Sequence, residues 1–256
     1  MNFFFGIKSN LIQSKLTIPR FQNRNHTKEE YLIYQLEVGN KKWIVNNLDN
    51  VELNDDFYQI DSNIIDNEKI FCLAKKEEIL TLEKNNYSRL VNLNYYTDTT
   101  PDYRANLQVF IEGGGFSSYQ SEYPFSMITK KGSIFSPLSS LCSKNADENI
   151  VFIKNTFEYP IQEEFGVFFI NIKTKKVLKS EILVTNFMNE IVVQKDLIKP
   201  EVFLFTDKYI GIPIFCSIKN NQISFEHTHP PHTYLFGKDK FKKISELKRE
   251  FSEIIN

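Results

Sequence analysis

The chain has 256 residues and a formal net charge of −1, with 41% hydrophobic and 25% charged residues. These values are typical of a folded globular protein and argue against a nucleic-acid partner, because nucleic-acid binders usually carry a concentrated basic face or run. The 3 cysteines lie far apart, which argues against a disulfide framework. Without a signal peptide or a run of roughly 20 apolar residues, the sequence predicts a cytoplasmic protein that has no membrane span.

Strand patterns run through the first hundred residues. Alternation of apolar and polar side chains predicts strands at 31–38, 43–45, 57–60, 70–73 and 89–96. The segment 75–84 fits either a short helix or a strand. The polar loop at 97–102 is the predicted boundary between an N-terminal β-rich region, 1–97, and a C-terminal region, 103–256. A single large β domain is favoured almost as strongly.

The second half has more regular strand signals and ends in a helical pattern. Strands are predicted at 106–111, 150–154, 166–172, 177–184, 190–193, 201–205, 212–218 and 222–229. From Asp239 onward, apolar residues recur at helical spacing. The predicted fold class is therefore mainly β, an antiparallel β-sandwich or barrel with a C-terminal amphipathic α-helix. The helix is expected to pack on the sheet or on a partner, and in the second case it is the predicted interface of a homo-oligomer.

Three of the 4 histidines lie within six residues, at His227, His229 and His232. If 222–229 is a strand, His227 and His229 project from the same face, and two imidazoles so placed reach one ion at the roughly 2.0–2.1 Å that Zn²⁺ needs. Zn²⁺ or another divalent metal is therefore the predicted cofactor. His232 is predicted to be a third ligand or a proton carrier.

Other side chains are candidates to complete this site. Glu226 or Glu112 is expected to act as the carboxylate base, while Glu226, Cys216 and the distant His26 are alternative third ligands. A competing interpretation needs no metal at all. In it, the histidines and prolines of 227–232 form an exposed structural patch that stacks on neighbouring aromatic residues.

A glycine-rich loop is the second candidate region. Gly113, Gly114 and Gly115 follow the predicted strand 106–111, and consecutive N–H groups there are expected to bind an anion or an oxyanion. The hydroxyl groups of Ser117, Ser118 and Tyr119 suit a sugar or a phosphate oxygen. The alternative is that the glycines only form a bulge or a sharp turn at the end of a strand.

These features predict an intracellular protein with a histidine-cluster site. One hypothesis is a divalent-metal-dependent enzyme that acts on a sugar or another hydroxylated small molecule. The alternative is a non-catalytic module that binds a ligand or assembles with other chains, in which the His-Pro segment is a structural surface patch. The expected partner is thus a small molecule in the first hypothesis and a protein in the second.

Overall fold

The computed structural model describes residues 2–20, 31–49, 51–83, 105–121, 133–209, 211–227 and 240–255. Strands make up 51% of these residues, and they form four antiparallel sheets accompanied by two helices. The prediction of a mainly β protein with a C-terminal helix is confirmed. The predicted strand 89–96 and the predicted domain boundary at 97–102 lie outside the described residues.

Seventeen strands are seen in the described ranges. In chain order they are β1 (Asn2–Phe4), β2 (Ile12–Pro19), β3 (Leu32–Val38), β4 (Trp43–Asn47), β5 (Glu52–Asn54), β6 (Phe57–Ile60), β7 (Ile70–Ala74), β8 (Ala105–Ile111), β9 (Phe116–Ser121), β10 (Phe135–Pro137), β11 (Glu148–Asn155), β12 (Glu164–Asn171), β13 (Lys176–Val184), β14 (Phe187–Val192), β15 (Val202–Thr206), β16 (Ile212–Lys219) and β17 (Gln222–His227). The helices are α1 (Lys76–Glu83) and α2 (Lys240–Ile255), with a short 3₁₀ turn at Lys195–Leu197. Residues 76–83 of the ambiguous segment therefore form a helix.

The strands pair into four open sheets within the described residues. Sheet I has the order β1-β7-β3-β4, and sheet II has the order β5-β6-β2-β8-β9. Sheet III has the order β14-β11-β16-β17, and sheet IV has the order β10-β15-β12-β13. None of the four closes on itself by hydrogen bonds between described strands.

Sheets I, II and III share one hydrophobic core, called core 1 here. Sheet I contributes Phe4, Ile33 and Phe71, sheet II contributes Ile12, Leu16 and Leu107, and sheet III contributes Ile150, Phe152 and Ile214. All of these side chains are almost completely buried. Strand side chains alternate between the two faces of a sheet, so one face of each of these strands contributes to core 1. Core 1 therefore contains packed side chains from both halves of the chain.

The opposite face of sheet III packs on sheet IV and forms core 2. Val151, Ile153 and Phe215 of sheet III contact Val167 and Phe169 of sheet IV in this cluster. Sheet III is thus buried on both faces. This explains why β11 reads as a continuous apolar run instead of an alternating one.

Helix α2 covers the outer face of sheet IV. Phe251 is fully buried, and its ring lies 5.6 Å from the ring of Phe135 and 6.0 Å from that of Phe205. Leu247 and Ile255 pack at the same cluster. The apolar stripe predicted for this helix therefore contacts the sheet of its own chain. No described helix is both long enough and apolar enough to cross a lipid bilayer.

Candidate functional site

The strands that adjoin two candidate regions of the sequence lie side by side, although the glycine loop meets the end of β17 that is about 20 Å of strand from His227. The glycine loop is the turn between β8 and β9, and β9 lies against β17, the strand that leads to the histidine cluster. The N–H of Gly115 donates to the carbonyl oxygen of Asn221 at 2.7 Å. Segments more than one hundred residues apart in sequence thus meet at the edges of sheets II and III.

The glycines permit this close approach. A Cβ on Gly114 would lie 2.5 Å from the carbonyl oxygen of Asn221, and one on Gly115 would lie 2.6 Å from the side-chain oxygen of Gln222. Gly113 has φ +68°, a backbone conformation that side chains disfavour. The turn opposite them, Asn220–Asn221, also has positive φ at both residues, as a two-residue hairpin turn requires.

The amide groups of the loop are partly used by the fold. Gly114 donates its N–H to Ile111 at 2.9 Å, and Gly115 donates to Asn221. Two of the three glycine N–H groups in the predicted anion site therefore already have acceptors. Ligand binding by Gly113, Gly114 and Gly115 stays a prediction, and it would require those bonds to be shared or exchanged.

The hydroxyl-bearing residues of β9 lie on two faces. Ser117 and Tyr119 are partly buried, and Tyr119 packs against core 1 together with Ile223 and Phe225 of β17. Ser118 is exposed on the other face. Phe225 stacks on Phe152 with ring centroids 6.2 Å apart. The seam between β9 and β17, defined by Ser117, Tyr119, Ile223 and Phe225, therefore combines hydroxyl groups with apolar walls.

The two predicted carboxylates are separated. Glu226 is exposed and pairs with Phe215, whose side chain belongs to core 2, so Glu226 lies on the face of sheet III opposite to Phe225. Glu112 is exposed in the β8–β9 turn, near Asn221. Five residues of strand, about 16 Å at 3.3 Å per residue, separate position 221 from position 226. The role of Glu226 or Glu112 as the carboxylate base stays a prediction.

The histidine cluster falls mostly beyond the described residues. His227 is the last residue of β17, and its backbone pairs with Ile214. The ligand predictions for its side chain and for His229, His232 and His26 lie outside the part of the chain that the structure describes. Within that part, no group of three or more His, Cys, Asp or Glu residues is placed to hold a metal ion.

The three cysteines are buried thiols. Cys216 lies in core 1 on β16, where it pairs with Phe225, and burial raises the pKa of its thiol. Burial also raises the pKa of Cys72 and raises that of Cys142 to about 12. A metal binds the thiolate form of cysteine, so the raised pKa of Cys216 disfavours its role as the predicted third ligand.

One unusual titratable group was not predicted. Lys154 of β11 is fully buried, its Nζ has no hydrogen-bond partner among the described residues, and burial lowers its pKa to about 7. Its neighbours across the strands are Met188 and Ile212. The signal available in the sequence was a lysine that ends the apolar run 150–153.

A second unpredicted cluster lies between sheets III and IV. The hydroxyl of Tyr209 donates to Glu163 Oε2 at 2.6 Å, and Lys208 pairs with the same carboxylate. The ring of Tyr209 is packed edge-on against Phe157 and Phe165. Burial raises the pKa of this tyrosine, so the hydroxyl stays protonated and keeps its role as a donor.

No protein-family model, curated protein or solved structure matches this chain.

Proposed function

We propose that this protein binds a small hydroxylated ligand, such as a sugar, at the seam between β9 and β17, next to a divalent metal held by the histidine cluster. The observation that carries the proposal is that β9, which bears Ser117 and Tyr119, lies against β17, the strand that ends at His227. The surrounding layers are proposed to be sandwich-like, with sheets III and IV face to face.

The chemistry of the seam supports a ligand with both polar and apolar faces. Tyr119 and Phe225 offer ring surfaces, and Ser117 and Tyr119 offer hydroxyl groups on the same side of β9. Small-molecule sites are typically apolar surfaces with a few placed polar groups. A sugar presents this same combination of C–H faces and hydroxyl edges.

The metal part of the proposal assigns His227, His229 and His232 as ligands. A metal bound there would polarise a substrate oxygen or lower the pKa of a bound water, with Glu226 as the nearest carboxylate in sequence. In the enzyme version, His232 carries that proton instead of serving as a ligand, because Glu226 lies on the face of sheet III opposite to the seam. In the binding version, the metal only orients the hydroxyl groups of the ligand.

Metal binding is tested by titrating chelator-treated protein with Zn²⁺ in a calorimeter. We expect one ion per chain, and we expect the double variant His227→Ala, His229→Ala to lose it without loss of fold. Thr228→Ala, between the two histidines, is the matched control and should bind as the unchanged protein does. Absence of Zn²⁺ binding, or binding retained in the double variant, contradicts the metal site.

The seam is tested separately with free hexoses as probes. Ser117 is partly buried towards the seam and Ser118 is exposed on the other face, so the pair forms a matched comparison. We expect hexose-dependent shifts in the nuclear magnetic resonance signals of Tyr119 and Phe225 that weaken in Ser117→Ala and persist in Ser118→Ala. Identical responses from both variants, or none from the unchanged protein, contradict ligand binding at the seam.

A second candidate function is that of an assembly module. The observation that favours it is an outer strand of sheet IV with exposed apolar side chains, β13. The partner proposed for this strand is a second copy of this chain.

A further inference from the structure

Strand β13 is an open edge with apolar side chains. Among the described strands it pairs only with β12, and it is nine residues long. Val177 is 39% exposed, Leu178 is 46% exposed and Ile182 is 69% exposed. A long edge strand with exposed apolar side chains is a template for pairing with another strand.

The backbone groups that would make this pairing can be assigned. Thr185 donates its N–H to Glu163, on the β12 side. Val184 directs both of its backbone groups the other way, since its N–H donates to Asn189 Oδ1 at 2.8 Å and its carbonyl accepts from Asn189 Nδ2 at 2.9 Å. In an antiparallel strand this direction alternates, so Ile182 and Ser180 also direct their N–H and C=O groups away from β12.

We propose that β13 pairs antiparallel with β13 of a second copy of this chain, around a two-fold axis at Ser180. The two Ser180 residues then exchange N–H···O=C bonds with each other. Lys179 lies opposite Glu181 of the second copy, and Leu178, the extra residue at the bulge in the β12–β13 pairing, lies next to Ile182 of that copy. Each of these pairs occurs twice because of the symmetry, as an isologous interface requires.

The charges of the strand select this register. Lys179 and Glu181 lie on one face and already form an ion pair within the chain at 2.6 Å, with 29% and 30% of their side chains exposed. With the axis at Ser180, the Lys179 and Glu181 side chains of the two copies form a group of four charges in which each lysine faces a glutamate. Centring the axis on Lys179 or on Glu181 would instead place like charges directly opposite each other, which is unfavourable.

The same charges discriminate against other strands. Lysine on an edge strand normally discourages pairing, because a generic partner leaves the charge unmatched. To place opposite charges across from both Lys179 and Glu181, an antiparallel partner strand needs a glutamate two residues after a lysine. The second copy supplies that strand, and it also covers the two most exposed apolar side chains of β13, Leu178 and Ile182.

The backbone step is tested with Ser180→Pro and its matched control Ser180→Ala. The N–H of Ser180 points away from β12, so proline removes a bond of the dimer and none of the ladder within the chain. Size-exclusion chromatography with light scattering measures the mass of the whole chain in solution. It should show concentration-dependent dimers for the unchanged chain and for Ser180→Ala. Ser180→Pro should remain a monomer that melts cooperatively.

The register is tested by exchanging charges. Lys179→Glu alone and Glu181→Lys alone each create like-charge pairs and should weaken dimerisation by about tenfold. The chain that carries both changes should dimerise again. Mixing the two single variants should also restore dimers, as heterodimers with opposite charges across the axis.

Three results would overturn the proposal. One is an unchanged chain that stays monomeric up to its solubility limit. Another is a dimer that persists in a folded Ser180→Pro variant. The third is a mixture of the two single charge variants that does not associate more strongly than either alone, and this outcome is informative even if the proline variant fails to fold. None of these measurements depends on metal or hexose binding, so they are independent of the site at β9 and β17.

Discussion

At the residue scale, Lys154 is the most strongly perturbed basic group among the described residues. It lies on the interior strand β11, with Met188 and Ile212 opposite it, and its fully buried Nζ has no hydrogen-bond partner in the described part of the chain. Burial is the cause of the lowered pKa, about 7 against an ordinary value of 10.5. A buried amine of this kind stays in the protein at a cost in stability whenever it is charged.

The pH dependence of stability follows from that difference. Below pH 7 the folded and unfolded states both carry the proton, so the buried charge destabilises the fold fully. Between about pH 7 and pH 10 the unfolded state holds the proton while the folded state has lost it, so the penalty falls and the free energy of unfolding rises with pH. Lys154→Met removes this contribution altogether.

We therefore expect Lys154→Met to raise the free energy of unfolding at about pH 6 by on the order of 3 kcal/mol, and to raise it far less at about pH 10. Urea denaturation at both pH values measures the difference. The exposed residue Lys199 provides the control, because Lys199→Met should change stability little and equally at both values. A gain for Lys154→Met that does not depend on pH would show that packing, and not charge, limits stability at this position.

At the element scale, the contact between the β8–β9 and β16–β17 hairpins rests on glycine. A Cβ at Gly114 would lie 2.5 Å from a backbone oxygen. A Cβ at Gly113 would have no atom within 4 Å, so the only strain there comes from the backbone φ of +68°. We expect Gly114→Ala to cost about 2–3 kcal/mol and Gly113→Ala to cost about 1 kcal/mol. Thermal melts of the two variants compare these costs, and equal losses would mean that the hairpins separate easily.

Helix α2 provides a second prediction for an element. Phe251 is fully buried between Phe135 and Phe205, while Ile254 on the same helix is 37% exposed. We expect Phe251→Ala to destabilise the protein by about 3–5 kcal/mol and Ile254→Ala to change little. Chemical denaturation at several protein concentrations checks this. The same comparison in the Ser180→Pro chain excludes the β13 pairing, and a loss for Phe251→Ala that still depends on concentration there would indicate that the helix packs on a second copy instead.

The strands that the sequence predicted well are those flanked by turn residues. The predicted strands 166–172, 177–184, 212–218 and 222–229 correspond to β12, β13, β16 and β17, and the Lys and Asn residues that separate them include Lys175, Asn220 and Asn221 with positive φ. Strand β2 was missed for a physical reason. Its inward position 14 is a serine, fully buried, whose hydroxyl accepts from the N–H of Ile7 and donates to its carbonyl.

The candidate site was predictable only in part. Composition picked out the glycine loop and the histidine cluster, but nothing local in the sequence shows that β9 and β17 become neighbours. That proximity depends on how sheets II and III pack on core 1, a non-local property. Lys154 was missed for the same reason, because a lysine at a strand end normally extends to solvent and only the surrounding layers bury it.

At the scale of the whole molecule, core 1 favours one domain over two, and the number of domains stays a prediction. It includes Leu16 of β2 and Phe152 of β11, which lie on opposite sides of the predicted boundary at 97–102. Both side chains are almost fully buried. A shared interior of this kind couples the two segments, because neither can unfold without exposing apolar surface of the other.

We therefore expect a single calorimetric transition for the whole chain, with a calorimetric enthalpy equal to the van't Hoff enthalpy. Leu16→Ala should lower the free energy of unfolding by about 2–4 kcal/mol and Phe152→Ala by about 3–5 kcal/mol, each by moving that one transition. Two independent domains would instead give two transitions. Leu16→Ala would then shift only one of them and Phe152→Ala only the other, because a substitution can destabilise only the cooperative unit in which its side chain is buried.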